Sequence, residues 1–186
     1  MIQSRKIYLA GPEVFLPNSL EVLNSMKAIC AKYNFIGMSP FDSAINKSNT
    51  INRSSLELAE QIFVNNRKLI QASDYIVANC NSFRGPLVDD GTSWEIGYAY
   101  GLGKTIFGYI NSKKPLVENV INRIETKFHV SGHPIDMDGF LVNENFGNSI
   151  NLMLEFSLSS SGGELAEGNF ENCILKVLEF DRKMHP

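Results

Sequence analysis

Continuous apolar runs along the chain predict its β-strands. Four short segments consist mostly of aliphatic, aromatic and small residues, and the first two are closed by Gly11-Pro12 and Ser39-Pro40, which break extended structure. Strands that are apolar on both faces are typical of a parallel sheet covered by helices on both sides. The predicted strands are Lys6–Ala10, Phe35–Met38, Tyr75–Cys80 and Thr105–Ile110.

Apolar residues recur at helical spacing between and after these runs. The predicted helices are Asn18–Tyr33, Ser55–Gln71, Thr92–Leu102 and Phe170–Lys183. Alternating strands and helices predict the α/β class, as a flavodoxin-like doubly wound sandwich with about five parallel strands. We expect one domain spanning residues 1–186. Ligands of such folds bind beyond the carboxyl ends of the strands, so the loops after Ala10, Met38 and Cys80 are the candidate site.

The other segments are less regular. Residues 42–53 predict a polar loop, and residues 112–147 contain many chain breaks around a short helix near Leu116–Ile124. Residues 150–158 predict the start of a helix, and the Ser-Ser-Ser-Gly-Gly run at 159–163 predicts a flexible turn.

Composition narrows the class of partner. The chain has 186 residues with 17 basic and 20 acidic side chains, which gives a net charge of −3 and no basic footprint for a nucleic acid polymer or an anionic membrane. Its three cysteines lack metal-ligand spacing, so we expect no metal site and reduced thiols. No apolar leader or membrane-length run is present, and we expect a cytoplasmic protein that binds a small molecule.

The segment from Asp89 to Glu95 carries the candidate chemistry. Thr92 and Glu95 have the spacing of a helix capping box, which is a purely structural interpretation. A carboxylate in the first turn of a helix is also held ionised by the helix dipole, as a nucleophile that attacks an anomeric carbon requires. Asp89, or its neighbour Asp90, is the candidate second acid, able to bind sugar hydroxyls or handle a proton, and an ordinary loop carboxylate is the structural alternative for either.

Three motifs resemble the nucleoside 2-deoxyribosyltransferase family. They are residues 6–15 (KIYLAGPEVF), residues 81–99 with the run DDGTSWEIGYA, and residues 151–154 (NLML), in the order found in that family. The resemblance implies that Glu95 forms a covalent deoxyribosyl intermediate, that Asp89 holds the deoxyribose, and that Tyr8 lies close to the nucleophile. Without it, Tyr8 is equally well interpreted as a core aromatic.

The resemblance also implies an oligomer with shared active sites. Asn151 and Met153 match residues that reach into a neighbouring subunit's pocket, whereas a helix cap and a core filler are their structural alternatives. Asn66 stands where some members carry an aspartate that handles protons on the base, and an amide cannot give a proton.

Two further residues are assigned to the substrate, and several aromatic residues have two interpretations. We expect Phe15 and Gly91 to contact the substrate. Phe15, Phe83 and Trp94 can each stack on a base or lie in the core, and for Trp94 we favour the core. Arg84 suits either a phosphate contact or a salt bridge.

The resulting expectation is a transferase that exchanges the base of a 2′-deoxynucleoside for a free nucleobase without a cofactor. One alternative is a hydrolase of the same fold that removes the base from deoxynucleoside 5′-monophosphates. Glu13, an acid in the first loop, argues against a phosphate there. The other alternative is a nucleotide-binding sensor without catalysis, in which Glu95 only caps a helix.

Overall fold

The computed structural model describes residues 4–42 and 54–186 and contains a central sheet of parallel strands. The strands of this sheet are β1 (Lys6–Ala10), β2 (Ile36–Met38), β3 (Tyr75–Asn79), β4 (Thr105–Ile110) and β7 (Leu165–Glu167). They are hydrogen-bonded in the order β2-β1-β3-β4-β7, and every neighbouring pair is parallel. The expected α/β class and the number of parallel strands are confirmed.

Six α-helices lie among the described residues. They are α1 (Ser19–Lys32), α2 (Ser55–Ala72), α3 (Asp90–Gly101), α4 (Leu116–Ile121), α5 (Leu152–Ser160) and α6 (Phe170–Met184). Short 3₁₀ turns follow β1 and β2, at Pro12–Phe15 and Pro40–Asp42.

The alternation of side chains along the strands separates two apolar cores. Ile7 and Leu9 of β1 point to the face covered by α1 and α6. Tyr8 and Ala10 point to the opposite face, which α2, α3 and α5 cover. Tyr8 therefore faces the helix that carries Glu95, and this parity brings the two residues together.

Several predicted boundaries and elements are wrong. The fifth parallel strand, β7, lies where no strand was predicted, because three residues at a sheet edge give too short a pattern. Residues 112–147 contain an unpredicted antiparallel pair, β5 (Thr126–Phe128) with β6 (Pro134–Asp136). Ser159 and Ser160 belong to helix α5 rather than to a turn, and the Ser159 hydroxyl donates to the helix carbonyl of Glu155. Of the expected polar loop, residues 43–53 lie outside the described residues.

Candidate active site

A pocket opens at the carboxyl edge of the sheet, between the loop after β1 and helices α2 and α3. Its volume is about 520 Å³, within the range of roughly 300–1,000 Å³ that small-molecule sites occupy. The loops after β1, β2 and β3 all contribute to it, as the fold class predicts. It is lined by Gly11, Val14, Phe15, Pro40, Phe41, Ile62, Asn66, Asp89, Gly91, Thr92 and Glu95.

Glu95 lies at the floor of this pocket and is held by Tyr8. Its side chain is buried, with 8% of its surface exposed, and Tyr8 is fully buried beside it. The Tyr8 hydroxyl donates a hydrogen bond of 2.5 Å to Oε1 of Glu95. The sequence allowed Tyr8 to lie either near Glu95 or in the core, and the structure places it in both environments.

Burial sets the protonation of this pair. Desolvation raises the pKa of Glu95 to about 7, the Tyr8 hydrogen bond opposes that rise, and the charge of Asp89 adds to it. The pKa of Tyr8 is raised well above its usual value, first by burial and then by the Glu95 charge and hydrogen bond. Tyr8 therefore stays a hydrogen-bond donor to the carboxylate near neutral pH.

Asp89, not Thr92, caps helix α3. The helix begins at Asp90, and Oδ2 of Asp89 accepts hydrogen bonds from the Thr92 amide at 2.9 Å and the Thr92 hydroxyl at 3.0 Å. The predicted capping box between Thr92 and Glu95 is therefore wrong. Glu95 lies in the second turn, where the helix dipole acts weakly, and its pKa is governed by burial instead.

The mouth of the pocket is aromatic. Phe15 is 56% exposed and stacks on Phe83 with ring centroids 5.3 Å apart. The Arg84 guanidinium lies 4.7 Å from the centroid of Phe83 and 5.1 Å from that of Phe15. None of the ion pairs among the described residues involves Arg84. Its guanidinium contacts aromatic rings instead, so the salt-bridge interpretation is not supported.

Trp94 does not lie in the core, which corrects the interpretation favoured from the sequence. It is 43% exposed, stacks on Tyr98 at 5.0 Å and contacts Phe63 at 5.2 Å. The reason is its position on α3: Glu95 and Ile96 turn inward, and the residue before them turns outward.

Asn66 and Gly91, which we expect to contact the substrate, line the pocket from α2 and α3 respectively. Oδ1 of Asn66 is buried, and no hydrogen-bond partner for it lies among residues 4–42 and 54–186. Gly91 lies in the first turn of α3, next to the Asp89 side chain.

Asn151 and Met153 lie away from this pocket. Asn151 is the N-cap of α5: its Oδ1 accepts from the Met153 amide at 3.0 Å, and its Nδ2 donates to Oε2 of Glu144 at 3.1 Å. Met153 is 69% exposed, so its interpretation as a core filler is wrong. Asn151 lines a separate cavity of about 230 Å³ beside the loop of residues 82–88.

Glu13 is a residue whose place the sequence did not reveal. It is buried, and Oε1 accepts hydrogen bonds from Nδ2 of Asn79 at 2.6 Å and the Tyr109 hydroxyl at 2.7 Å. It does not line the pocket, so its charge is no argument against phosphate there. An acid directly after a strand and a Gly-Pro turn was the available signal.

The described part of the chain contains neither a metal cluster nor a membrane-spanning helix. No group of three or more histidine, cysteine or acidic side chains in residues 4–42 and 54–186 is arranged to hold a metal ion. None of the helices described is long and apolar enough to cross a membrane.

Comparisons with known proteins agree with this geometry. The sequence profile of the nucleoside 2-deoxyribosyltransferase family matches residues 7–153. A Schizosaccharomyces pombe protein described as uncharacterized is 31% identical over 173 residues, which cover 86% of this chain and 80% of the relative. The structure of a 2-deoxyribosyltransferase from Leishmania mexicana superposes with a TM-score of 0.67 at 28% identity, covering 94% of this chain and 97% of that one. A conserved protein from Enterococcus faecalis shares the fold, with a TM-score of 0.62 at 18% identity over 95% of this chain and 99% of that one. The chain therefore belongs to the nucleoside 2-deoxyribosyltransferase family.

Proposed function

We propose that this protein exchanges the base of a 2′-deoxynucleoside through a covalent intermediate on Glu95. The observation that carries the proposal is the buried Glu95 carboxylate, hydrogen-bonded through one oxygen to Tyr8 on the floor of a pocket of nucleoside size. Family membership supports the reaction class, since the family is named for this transfer.

In the first step Glu95 displaces the base. Oε1 is engaged by Tyr8, so Oε2 is the oxygen we assign to attack on the anomeric carbon. The bond from carbon to the base nitrogen breaks, the base leaves with the electron pair and takes up a proton, and a glycosyl ester remains. In the second step a nitrogen of the incoming base attacks the same carbon, loses its proton and releases the carboxylate.

Asp89 is the residue we assign to the sugar. Its Oδ2 is occupied by the cap of α3, which fixes the carboxylate, and Oδ1 remains for a sugar hydroxyl. Asn66 offers hydrogen bonds to the base but no proton, so the proton for the leaving base comes from another donor. Phe15 at the mouth provides a ring for stacking.

The charges of the pocket favour a nucleoside over a nucleoside monophosphate. Its described lining includes two acids, Asp89 and Glu95, and no basic side chain. A phosphate group held within this lining would face these two carboxylates, while Arg84 lies outside the lining, against the rings of Phe15 and Phe83. The preference therefore rests on these two acids and not on Glu13, which is engaged elsewhere.

We further propose that the active species is a homo-oligomer with shared sites. In its own subunit Asn151 lies outside the Glu95 pocket, and Met153 projects into solvent on α5. If either residue contacts a substrate in a Glu95 pocket, that pocket belongs to another subunit. The partners that this proposal implies are a deoxynucleoside, a free nucleobase and a second copy of the chain.

Incubation with deoxyadenosine and free cytosine tests the reaction. We expect deoxycytidine and adenine to form, and Glu95→Gln to abolish that exchange while the protein stays folded. Glu60→Ala, an exposed acid on α2, is the matched control. Exchange that survives in Glu95→Gln would refute the nucleophile, and base release without exchange would instead support the hydrolase. Binding of deoxynucleoside without turnover would support the sensor.

A further inference from the structure

A buried carboxylate links the loops that build the pocket. Glu13 lies in the turn after β1 and is 8% exposed. Its Oε1 accepts from Asn79 at the end of β3 and from Tyr109 near the end of β4. Burying a carboxylate is costly unless hydrogen bonds compensate for lost hydration, and these two donors contribute that compensation.

The hydrogen bonds continue into two further loops. Oδ1 of Asn79 accepts from the amide and the side-chain nitrogen of Asn81, at 3.0 and 2.8 Å. Oδ1 of Asn81 then accepts from the amide of Asn111 at 2.9 Å. A continuous series of hydrogen bonds therefore connects the loops after β1, β3 and β4.

Gly11 shows how closely the carboxylate packs under the pocket wall. Its φ of 167° and ψ of 165° describe extended backbone that any residue adopts. A Cβ at this position would, however, lie 2.0 Å from Oε2 of Glu13 and 3.0 Å from Cβ of Asn79. A side chain at this position is therefore opposed by the space that Glu13 fills, and not by the backbone conformation.

The loops joined by these hydrogen bonds form two sides of the pocket. Gly11, Val14 and Phe15 line the pocket from the first loop, next to Glu13 in the chain. Asp89 lines it at the end of the loop that begins at Asn81. Glu13 does not itself line the pocket, so any effect on substrate passes through these neighbours.

We propose that Glu13 is a positioning residue, which holds the Phe15 wall in register with Asp89 and Glu95 through its bonds to Asn79 and Tyr109. This role rests on the proposed function, because the register matters only for a ligand held between those walls. A displacement of about 1 Å at a reacting centre can cost on the order of 10²-fold in rate. We call the Glu13 carboxylate with its hydrogen bonds to Asn79 and Tyr109 the clamp. Losing the clamp should therefore lower kcat/KM as well as the stability of the folded state.

Three variants separate the clamp from simple packing. Glu13→Gln keeps an oxygen that accepts from both donors and is expected to retain kcat/KM within about 5-fold. Glu13→Ala removes the acceptor, and we expect a loss of kcat/KM of about 30- to 100-fold per folded molecule. Tyr109→Phe removes one donor while keeping the buried ring, and an intermediate loss is expected. Glu60→Ala is the control with wild-type kinetics.

The readout is kcat and KM normalised to the folded fraction from circular dichroism, together with equilibrium binding of deoxyadenosine. A packing role alone lowers the folded fraction and leaves these normalised constants unchanged, which would overturn the proposal. If Glu13→Ala does not fold, Tyr109→Phe with wild-type constants would overturn it equally. If the wild-type protein binds deoxyadenosine but does not exchange its base, only the proposed function is refuted. The clamp is then tested by comparing the affinity of the variants and the wild type for deoxyadenosine. A wild-type protein that does neither overturns both.

A double-mutant cycle gives an independent check. Gly11→Ala alone is expected to displace the Glu13 carboxylate and reduce deoxyadenosine binding. In a Glu13→Ala background the contact with Oε2 is absent and only the 3.0 Å approach to Cβ of Asn79 remains, so adding Gly11→Ala should cost much less. Equal costs in the two backgrounds would contradict the contact on which the proposal depends.

Discussion

The Tyr8 hydroxyl donates a 2.5 Å hydrogen bond to Oε1 of Glu95 across 87 positions of the sequence, and both side chains are buried. The pair arises because one face of β1 and the inward face of α3 meet on the same side of the sheet. The hydrogen bond favours the ionised form of Glu95, against the burial that disfavours it. In the proposed mechanism, Tyr8 thus helps to keep the buried Glu95 carboxylate ionised for attack on the anomeric carbon.

Tyr8→Phe is expected to weaken the nucleophile without opening a cavity. Losing a hydrogen bond to a charged group, worth roughly 1.5–3 kcal/mol, should lower kcat/KM at neutral pH by about 10- to 100-fold. The pKa of Glu95 rises further in this variant, so its pH–rate profile should shift to higher pH. Tyr100→Phe, an exposed tyrosine on α3, is the control. Superimposable profiles for Tyr8→Phe and wild type would exclude this role.

The exchange rate should rise with pH through the pKa of Glu95. Attack requires the ionised carboxylate, and burial raises the pKa of this group to about 7, so most molecules are protonated and inactive at lower pH. Measuring kcat/KM across the range from acidic to mildly basic pH should show an acidic limb with its midpoint near 7. A profile that stays flat well into the acidic range would show that Glu95 ionises normally or is not required.

The same pKa shift predicts how stability depends on pH. The folded state holds a proton on Glu95 that the unfolded state releases above about 4.5, so wild-type stability falls as pH rises from there to about 7. Glu95→Gln removes this penalty and can still accept from Tyr8. Relative to wild type it should gain on the order of 1–3 kcal/mol at about pH 8 and much less at about pH 4. Urea unfolding at both pH values measures the difference, and a gain of equal size at both would contradict burial of an ionisable group as its cause.

Part of this site follows from sequence pattern and part does not. β1, β3 and β4 are continuous apolar runs, so their positions along the chain and the loops that follow them are predictable. The cap of α3 is less so, because Asp89 and Thr92 are both good N-cap residues and only the backbone decides between them. The contacts that bury Glu13 are not predictable from the sequence, because its two partners lie 66 and 96 positions away. Local pattern contains no information about contacts at such separations.

Asp89 combines a cap and a proposed sugar contact, and Asp89→Asn separates them. Asparagine caps helices about as well as aspartate, so unfolding free energy should change by less than about 0.5 kcal/mol. Exchange should nevertheless fall by at least about 10-fold, since a charged acceptor for the sugar hydroxyl is lost. Asp89→Ala also removes the cap, so its free energy of unfolding should fall by about 1 kcal/mol in addition. Full activity in Asp89→Asn would remove the acid from the proposed mechanism.

A 2′-deoxyriboside should be a better donor than the matching riboside. Glu95 lies on the floor of the pocket, and a 2′-hydroxyl next to the anomeric carbon would compete for its carboxylate. Comparing deoxyadenosine with adenosine as donors to free cytosine tests this, and we expect a preference of at least about 10-fold in kcat/KM, the cost of roughly one misplaced hydrogen bond. Equal turnover of the two donors would contradict the proposed orientation of the sugar.

The shared-site proposal predicts complementation between two inactive variants. Glu95→Ala lacks the nucleophile of its own pocket, and Asn151→Ala lacks the residue that would complete a neighbour's pocket. In a mixed pair with two-fold symmetry one site carries both changes and the other carries neither, so a 1:1 mixture that exchanges subunits should recover about a quarter of wild-type activity.

Asn151→Ser, which keeps an N-cap oxygen for α5, controls for loss of the cap. It should match the stability of wild type within about 0.5 kcal/mol while still failing to complete the neighbour's site. Sedimentation should show more than one chain per particle. A monomer with full activity at low concentration would leave Asn151 as the cap of α5 alone, whereas the Glu95 chemistry would stand.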